Sequence, residues 1–280
     1  HVAETNTVLG TDYVPDDGTL FGIYAQTPIE TASSNGALFW ATVNTEISCG
    51  PYGAPNDIHI WGDGYVMSTG AGSTDGLFHG TGDFHLYPTQ PSFTGYLSAD
   101  ADILGLMQTT STVSVDMSTS KIYFGCSDVY YVALVGQNLW GSSSVTYWPG
   151  DKIQVDAGFG GTLYDFGVHR HGTVIHICDY SIDAGLKIGG DIKASVVYPN
   201  FHFSGAISAY ATLYLDGSLC GVSAGTSVGC WYVGEVQFPS PMCIAGEMGF
   251  DLPWPLPDWS FGCRIKDGTF GWRKSTCAQP

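Results

Sequence analysis

Phe201-His202-Phe203-Ser204-Gly205-Ala206-Ile207-Ser208-Ala209-Tyr210-Ala211-Thr212-Leu213-Tyr214-Leu215 is the stretch whose reading decides the fold. Phe201, Phe203, Gly205, Ile207, Ala209, Ala211, Leu213 and Leu215 fall on one side, and His202, Ser204, Ala206, Ser208, Tyr210, Thr212 and Tyr214 on the other. Side chains alternate faces along a strand, so this period of two predicts one long strand with an apolar and a wetter face. Asp216-Gly217 follows it, and Asp-Gly is a strong hairpin signal. An alternation this long, with tyrosine on the wetter side, also suits an outer-membrane barrel. Irregular strands in the first half and eight cysteines weigh against that, and no membrane insertion is expected.

Outward from this strand, apolar and alternating runs recur between Gly, Pro, Ser and Asn clusters. Before it come Leu20–Gln26, Ala37–Ile47, Asp57–Ser68, Leu77–Tyr87, Phe93–Ala99, Thr112–Met117, Lys121–Phe124, Val129–Val135, Ser144–Tyr147, Lys152–Ala157, Thr162–His171, Val174–Asp179 and Gly185–Val197. Ser227–Phe238 and Met242–Phe250 come after it. Turn signals every 8–12 residues or so are the spacing of sandwiches and barrels. The one helix-compatible stretch, near Ala99–Gln108, is short, and a doubly wound α/β fold would need repeated helices. The fold class is therefore all-β: an antiparallel sandwich or barrel-like architecture, stabilised by disulfides. Trp148-Pro149-Gly150 marks a boundary between an acidic all-β region, 1–148, and a Cys-rich all-β region, 149–280, unless the whole forms a single domain. From Pro239 onward the chain changes character, and Leu252-Pro253-Trp254-Pro255-Leu256-Pro257-Asp258-Trp259 is too broken for a central strand.

Charged residues are only 12% of the chain, about half the usual share, while the net charge is −17. The first basic side chain is Lys121, so residues 1–120 contain no Lys or Arg. Carboxylates there must be solvated, hydrogen-bonded or bound to cations. Nucleic acid is excluded as a partner, because its phosphates are held by clustered Lys and Arg.

Cys49, Cys126, Cys178, Cys220, Cys230, Cys243, Cys263 and Cys277 are even in number and contain no CxxC pair. That pattern speaks for up to four disulfides and an oxidising compartment rather than a redox motif or zinc ribbon. A chain opening on His1 rather than Met fits removal of a signal peptide, so the expected location is extracellular or at the cell surface.

Potential chemistry concentrates in Phe166–Asp179. A two-residue loop at Gly172-Thr173 would pair His171 with Val174, His169 with His176 and Gly167 with Cys178. His169, His171, His176 and Cys178 would then share a face, and imidazoles so placed can converge on Zn²⁺ or Cu²⁺. The even cysteine count competes, because it assigns Cys178 to a disulfide. His1 is a second candidate, since an N-terminal histidine can bind copper through its amino group and ring. Acidic loops offer structural Ca²⁺ sites, with no EF-hand among them. Gly-x-Ser-x-Gly, Walker A and His-Glu-x-x-His are all missing, so no catalytic residue is assigned.

Few charges, abundant Gly and Tyr and the lack of catalytic motifs point to a non-enzymatic, self-associating structural protein, such as a subunit of a cell-surface filament, sheath or surface layer. The alternative is a secreted carbohydrate-active or carbohydrate-binding protein with a histidine metal site, its aromatics stacking on glycans.

Overall fold

A computed structural model describes residues 21–33, 36–50, 52–66, 76–132, 136–174, 178–253, 255–272 and 276–277. The fold is all-β and antiparallel, with no helix among these residues. The strands are β1 (Phe21–Ser33), β2 (Gly36–Cys49), β3 (Pro55–Val66), β4 (Phe78–Tyr87), β5 (Ser92–Ile103), β6 (Met107–Met117), β7 (Ile122–Val132) and β8 (Gln137–Trp148). They continue as β9 (Lys152–Val174), β10 (Cys178–Tyr198), β11 (His202–Leu219), β12 (Val222–Phe238), β13 (Cys243–Asp251), β14 (Trp259–Lys266) and β15 (Thr269–Trp272). Each pairs with its neighbour in sequence, so one 15-stranded sheet runs in chain order.

The chain forms two compact units. One comprises His1–Leu104, Thr109–Cys126 and Thr146–Gly150; the other comprises Gly105–Gln108, Ser127–Val145 and Asp151–Pro280.

Within the second unit the register gathers apolar side chains on one face. Phe159 pairs with Ile192, Ile192 with Ile207, and Ile207 with Gly234. Tyr232, Met248 and Phe261 form another such rung. The charged residues Asp183, Lys187, Asp191, Lys193, Asp216, Glu235, Glu247 and Arg264 take the opposite face by the same alternation. Arg170, near the tip of the β9–β10 hairpin, is the exception. A bulge in β9 leaves Leu163 unpaired between Thr162 and Tyr164, which shifts the apolar positions from odd to even numbers and keeps both faces intact.

The first unit repeats the arrangement. Ile23, Ile47, Ile58, Leu86 and Phe93 form one apolar rung, and Val43, Gly62, Gly82 and Leu97 lie on the same face. Glu46, Asp57, His59, Asp83, His85 and Asp100 lie on the other.

These apolar faces are open. Ile23 is 56% exposed, Leu97 54%, Ile192 55% and Leu213 59%. The buried apolar residues are only Ala41, Cys49, Ala101, Cys243, Ala245 and Cys277 among those described. Cys243, Ala245 and Cys277 form a small core on the polar side of the second unit. There a Cys243–Cys277 disulfide clamps the C-terminal segment. Glu235 accepts a hydrogen bond from the Cys277 backbone N–H at 2.9 Å, while Lys266 Nζ donates to the Cys277 carbonyl and Arg264 to that of Thr276.

Turns after the even-numbered strands are short, at 50–54, 88–91, 118–121, 149–151, 199–201, 239–242 and 267–268. Four of the strands before them end in an aromatic residue followed by proline: Tyr87-Pro88, Trp148-Pro149, Tyr198-Pro199 and Phe238-Pro239. Proline has no N–H to donate and stops the ladder there. Connections after the odd-numbered strands are more varied. They include 67–77 and 252–258, and the β9–β10 hairpin extends over strands of 23 and 21 residues.

Several expectations are corrected. Ala99–Gln108 is two strands joined by a tight turn, with Leu104 and Gly105 at positive φ, and not a helix. Asp216-Gly217 stays in strand; the chain turns at Cys220-Gly221, where both residues take the positive φ of a type I′ turn. The described residues among 252–258 lie outside the strands, as their prolines lead one to expect, and the paired strand β14 begins at Trp259. The cysteines do not all pair. Cys220 is disulfide-bonded, but Cys49, Cys230 and Cys263 are free thiols. Cys230 and Cys263 lie on the apolar face beside Ala211 and Gly246, where a thiol behaves as a small hydrophobe.

On the polar face, aromatic rings lie over cross-strand glycines. A Cβ at Gly249 would sit 2.4 Å from Cε2 and Cζ2 of Trp231, its ladder partner. Gly249→Leu is expected to cost about 1–3 kcal/mol by forcing the indole aside. Gly53→Leu is not an equivalent control because of its positive φ, whereas Gly141→Ala meets nothing within 4 Å and should leave the denaturation midpoint near wild type. Equal midpoints for Gly249→Leu and wild type would refute the packing assignment.

Candidate functional site

The histidine hairpin has a different register from the expected one. Gly172 and Thr173 are strand residues paired with Tyr180 and Asp179, so the turn lies beyond Val174. Gly172 lies against the Tyr180 ring, 2.8 Å from ring atom to would-be Cβ, and Thr173 Oγ1 donates to Asp179 Oδ1 at 2.8 Å. His169 faces Asp183 rather than His176, with Nδ1 and Oδ1 2.6 Å apart, and His171 faces Ser181. His169 and His171 do share a face of β9. His176 and His1 lie outside the described residues, as does the side chain of Cys178.

A different set of side chains converges on β3 and β4. The alternation Asp57-Ile58-His59-Ile60-Trp61 puts Asp57, His59 and Trp61 on the polar face, and Asp83-Phe84-His85-Leu86-Tyr87 does the same for Asp83, His85 and Tyr87. Antiparallel register then sets His59 directly opposite His85, and Trp61 opposite Asp83. The two imidazoles stack with centroids 3.9 Å apart and planes 11° from parallel. Trp61 stacks on the outer side of His59 at 4.0 Å, and Tyr87 flanks His85 at 5.7 Å. Tyr24 of β1 extends the row, 5.9 Å from Trp61, and its hydroxyl donates to Asn44 Oδ1 at 2.6 Å.

Asp83 Oδ1 lies 3.2 Å from His59 Nε2 and 3.4 Å from His85 Nε2. Both oxygens of Asp57 lie 3.3 Å from the other ring nitrogen of His85, Nδ1. One potential ligand atom from each of His59, Asp83 and His85 falls within 4.8 Å of the others, so the group could hold a metal ion. The side chains are 22–35% exposed, which leaves room for water to complete a coordination shell. Six residues before His85 on β4, His79 approaches Asp100 at 3.8 Å and stacks on Tyr65.

The sequence alone singles out none of His59, Asp83 and His85. The signal was present as two alternating Asp/His/aromatic triplets. Their register depends on residues 67–77, whose length hides which triplet faces which. No family model, curated protein or solved structure matches the chain.

The Asp57–His85 contact is partly exposed, so its coupling should be modest. A double-mutant cycle on Asp57→Ala and His85→Ala is expected to give about 0.5–1 kcal/mol of interaction energy. Strict additivity of the two changes in unfolding free energy would refute the contact.

Proposed function

We propose that this chain is a membrane β-barrel of the outer-membrane type, with its apolar faces against lipid and its acidic polar face along an aqueous path that favours cations. The observation that carries the reading is the open apolar face in each unit, set back to back with a face holding nearly all the charge. Fully burying one large apolar side chain is worth about 1.5–3 kcal/mol. Leaving so many in water would exceed the few kcal/mol by which domains are stable, so something must cover them.

Four features favour lipid over a second protein surface. β4, β5, β6, β7, β8 and β13 are 10, 12, 11, 11, 12 and 9 residues long, close to the roughly 9–11 residues of a tilted membrane strand. Neighbouring strands pair in chain order, the up-and-down pattern of such barrels. Connections are uniformly short at one end of the hairpins, while at the other end two of them, 67–77 and 252–258, are long. Aromatic residues cap the strands at the short-turn end, where interfacial girdles lie. Spanning a bilayer with strands requires closure, because no lipid group can satisfy an open edge. The membrane reading revises the weight that cysteines and irregular spacing had in the sequence. A disulfide and the lack of a membrane-crossing helix among the described residues are compatible with an envelope or extracellular location.

The polar face explains the cation preference. Glu46, Asp57, Asp63, Asp83 and Asp100 project from it in the first unit, where the sequence supplies no Lys or Arg before Lys121. Acidic linings select cations.

Purified chain diluted from urea is expected to fold only in detergent micelles or liposomes, and to conduct cations over anions in planar bilayers. Ile192, 55% exposed, separates the alternatives. Ile192→Arg should cost about 2–4 kcal/mol if the residue faces lipid near mid-membrane, but within about 0.5 kcal/mol if it faces water. A detergent-free, monodisperse, fully folded protein would overturn the proposal. So would filaments assembled in aqueous buffer, the outcome expected of a surface polymer whose copies cover one another's apolar faces.

A further inference from the structure

We infer that His59, Asp83 and His85 form a binding site for a divalent transition-metal ion of the zinc and copper class, with Asp57 as the group that orients His85. The side chains involved lie on β2, β3 and β4, and the site does not depend on the membrane reading.

Geometry comes first. Two ligands held 2.0–2.1 Å from a tetrahedral ion are separated by about 3.3 Å. The His59 Nε2–Asp83 Oδ1 and His85 Nε2–Asp83 Oδ1 separations are 3.2 and 3.4 Å. Each matches an edge of such a tetrahedron before any ion is present. The stacked rings must splay for both lone pairs to meet one ion, and the terminal torsion of histidine is broad enough to allow it.

The tautomer comes second. Asp57 sits at Nδ1 of His85, so the proton of a neutral ring is held there and Nε2 keeps its lone pair. A carboxylate behind a ligating imidazole is the usual outer partner in metal sites, where it fixes orientation and raises ligand basicity. Neither Asp57 nor Asp83 has a Lys or Arg to compete for it in residues 1–120. Glu46, directly opposite His59 on β2, adds further negative charge.

The donor set names the metal class. Two imidazole nitrogens and one carboxylate suit Zn²⁺, Cu²⁺, Ni²⁺ or Fe²⁺, whereas Ca²⁺ and Mg²⁺ favour all-oxygen shells with more ligands. Exposure of the side chains leaves the remaining positions to water or to an exchanging ligand, as in a transit or loading site rather than a closed structural one.

The test titrates the full chain, folded as purified, with Co²⁺ and then Zn²⁺. A tetrahedral Co²⁺ absorption that Zn²⁺ abolishes and Ca²⁺ leaves unchanged is expected. His59→Gln and His85→Gln should each weaken Zn²⁺ binding by about 100-fold or more, and Asp57→Asn by about 10–100-fold. His79→Gln, on the neighbouring Tyr65 and Asp100 contacts, should leave it unchanged. Should a variant fail to fold, the unaltered chain still decides. Zn²⁺ should protect His59 and His85, but not His79 or His202, from acylation by diethyl pyrocarbonate, read by peptide mass mapping. Acylation of His59 and His85 that Zn²⁺ does not slow overturns the site. So does Zn²⁺ affinity undiminished in the His59→Gln/His85→Gln double variant, or Ca²⁺ competing at similar concentration.

Discussion

Everything in this structure depends on a sheet whose strands pair only with their sequence neighbours and whose faces are sorted by a period of two. In a two-layer protein the second layer absorbs the apolar face, and some lapses in alternation are tolerated. Here the alternation alone keeps charge off one side, and in the second unit Arg170 at the hairpin tip is the exception to it. The bulge at Leu163 shows how the sorting is kept: the parity of β9 reverses there, and Tyr164, Phe166 and Val168 continue the apolar positions of Val155 and Phe159. A one-residue slip without a compensating sequence change would have put Asp165 and His169 among the isoleucines of β10.

The same constraint accounts for the polar face. Apolar packing can contribute little there, so order comes from aromatic rings lying on cross-strand glycines and from hydrogen bonds between facing side chains. Tyr210 covers Gly189 and bonds to Thr162; Tyr214 covers Gly185 and reaches Gly167. Glycine is required at these positions because the ring occupies the space of its Cβ. The high Gly and Tyr content that sets this composition apart follows from that pairing, and it need not signal a fibre-forming surface.

How much could be read from the sequence follows from what each feature depends on. Strand positions depend on local periodicity and turn residues, so most appeared near their true places, with Phe201–Leu215 falling within β11. Strand ends depend on which partner continues the ladder. Gly172-Thr173 and Asp216-Gly217 look like turns in isolation, yet both stay in strand because Tyr180, Asp179, Ala224 and Gly225 lie opposite them. Site geometry depends on register between strands, which is why the expected His169–His176 pairing gave way to His169–Asp183. The His59–His85 pair arises across a long connection whose sequence contains no register signal. Cysteine parity set only an upper limit of four disulfides, since a thiol on an apolar face needs no partner.

The acidic first half links the two functional readings. Without Lys or Arg before residue 121, histidine is the only side chain there that can, when protonated, neutralise a carboxylate. Three histidines lie against carboxylates here: His85 against Asp57 and Asp83, His59 against Asp83, and His79 at 3.8 Å from Asp100. A lysine in any of these places would have neutralised its carboxylate permanently and closed the site to a metal cation. Imidazole leaves the charge balance open, since it can give up its proton to an arriving ion and then serve as its ligand. On the proposed reading, such a face attracts cations through its unneutralised carboxylates and discriminates among them where two imidazoles and a carboxylate meet.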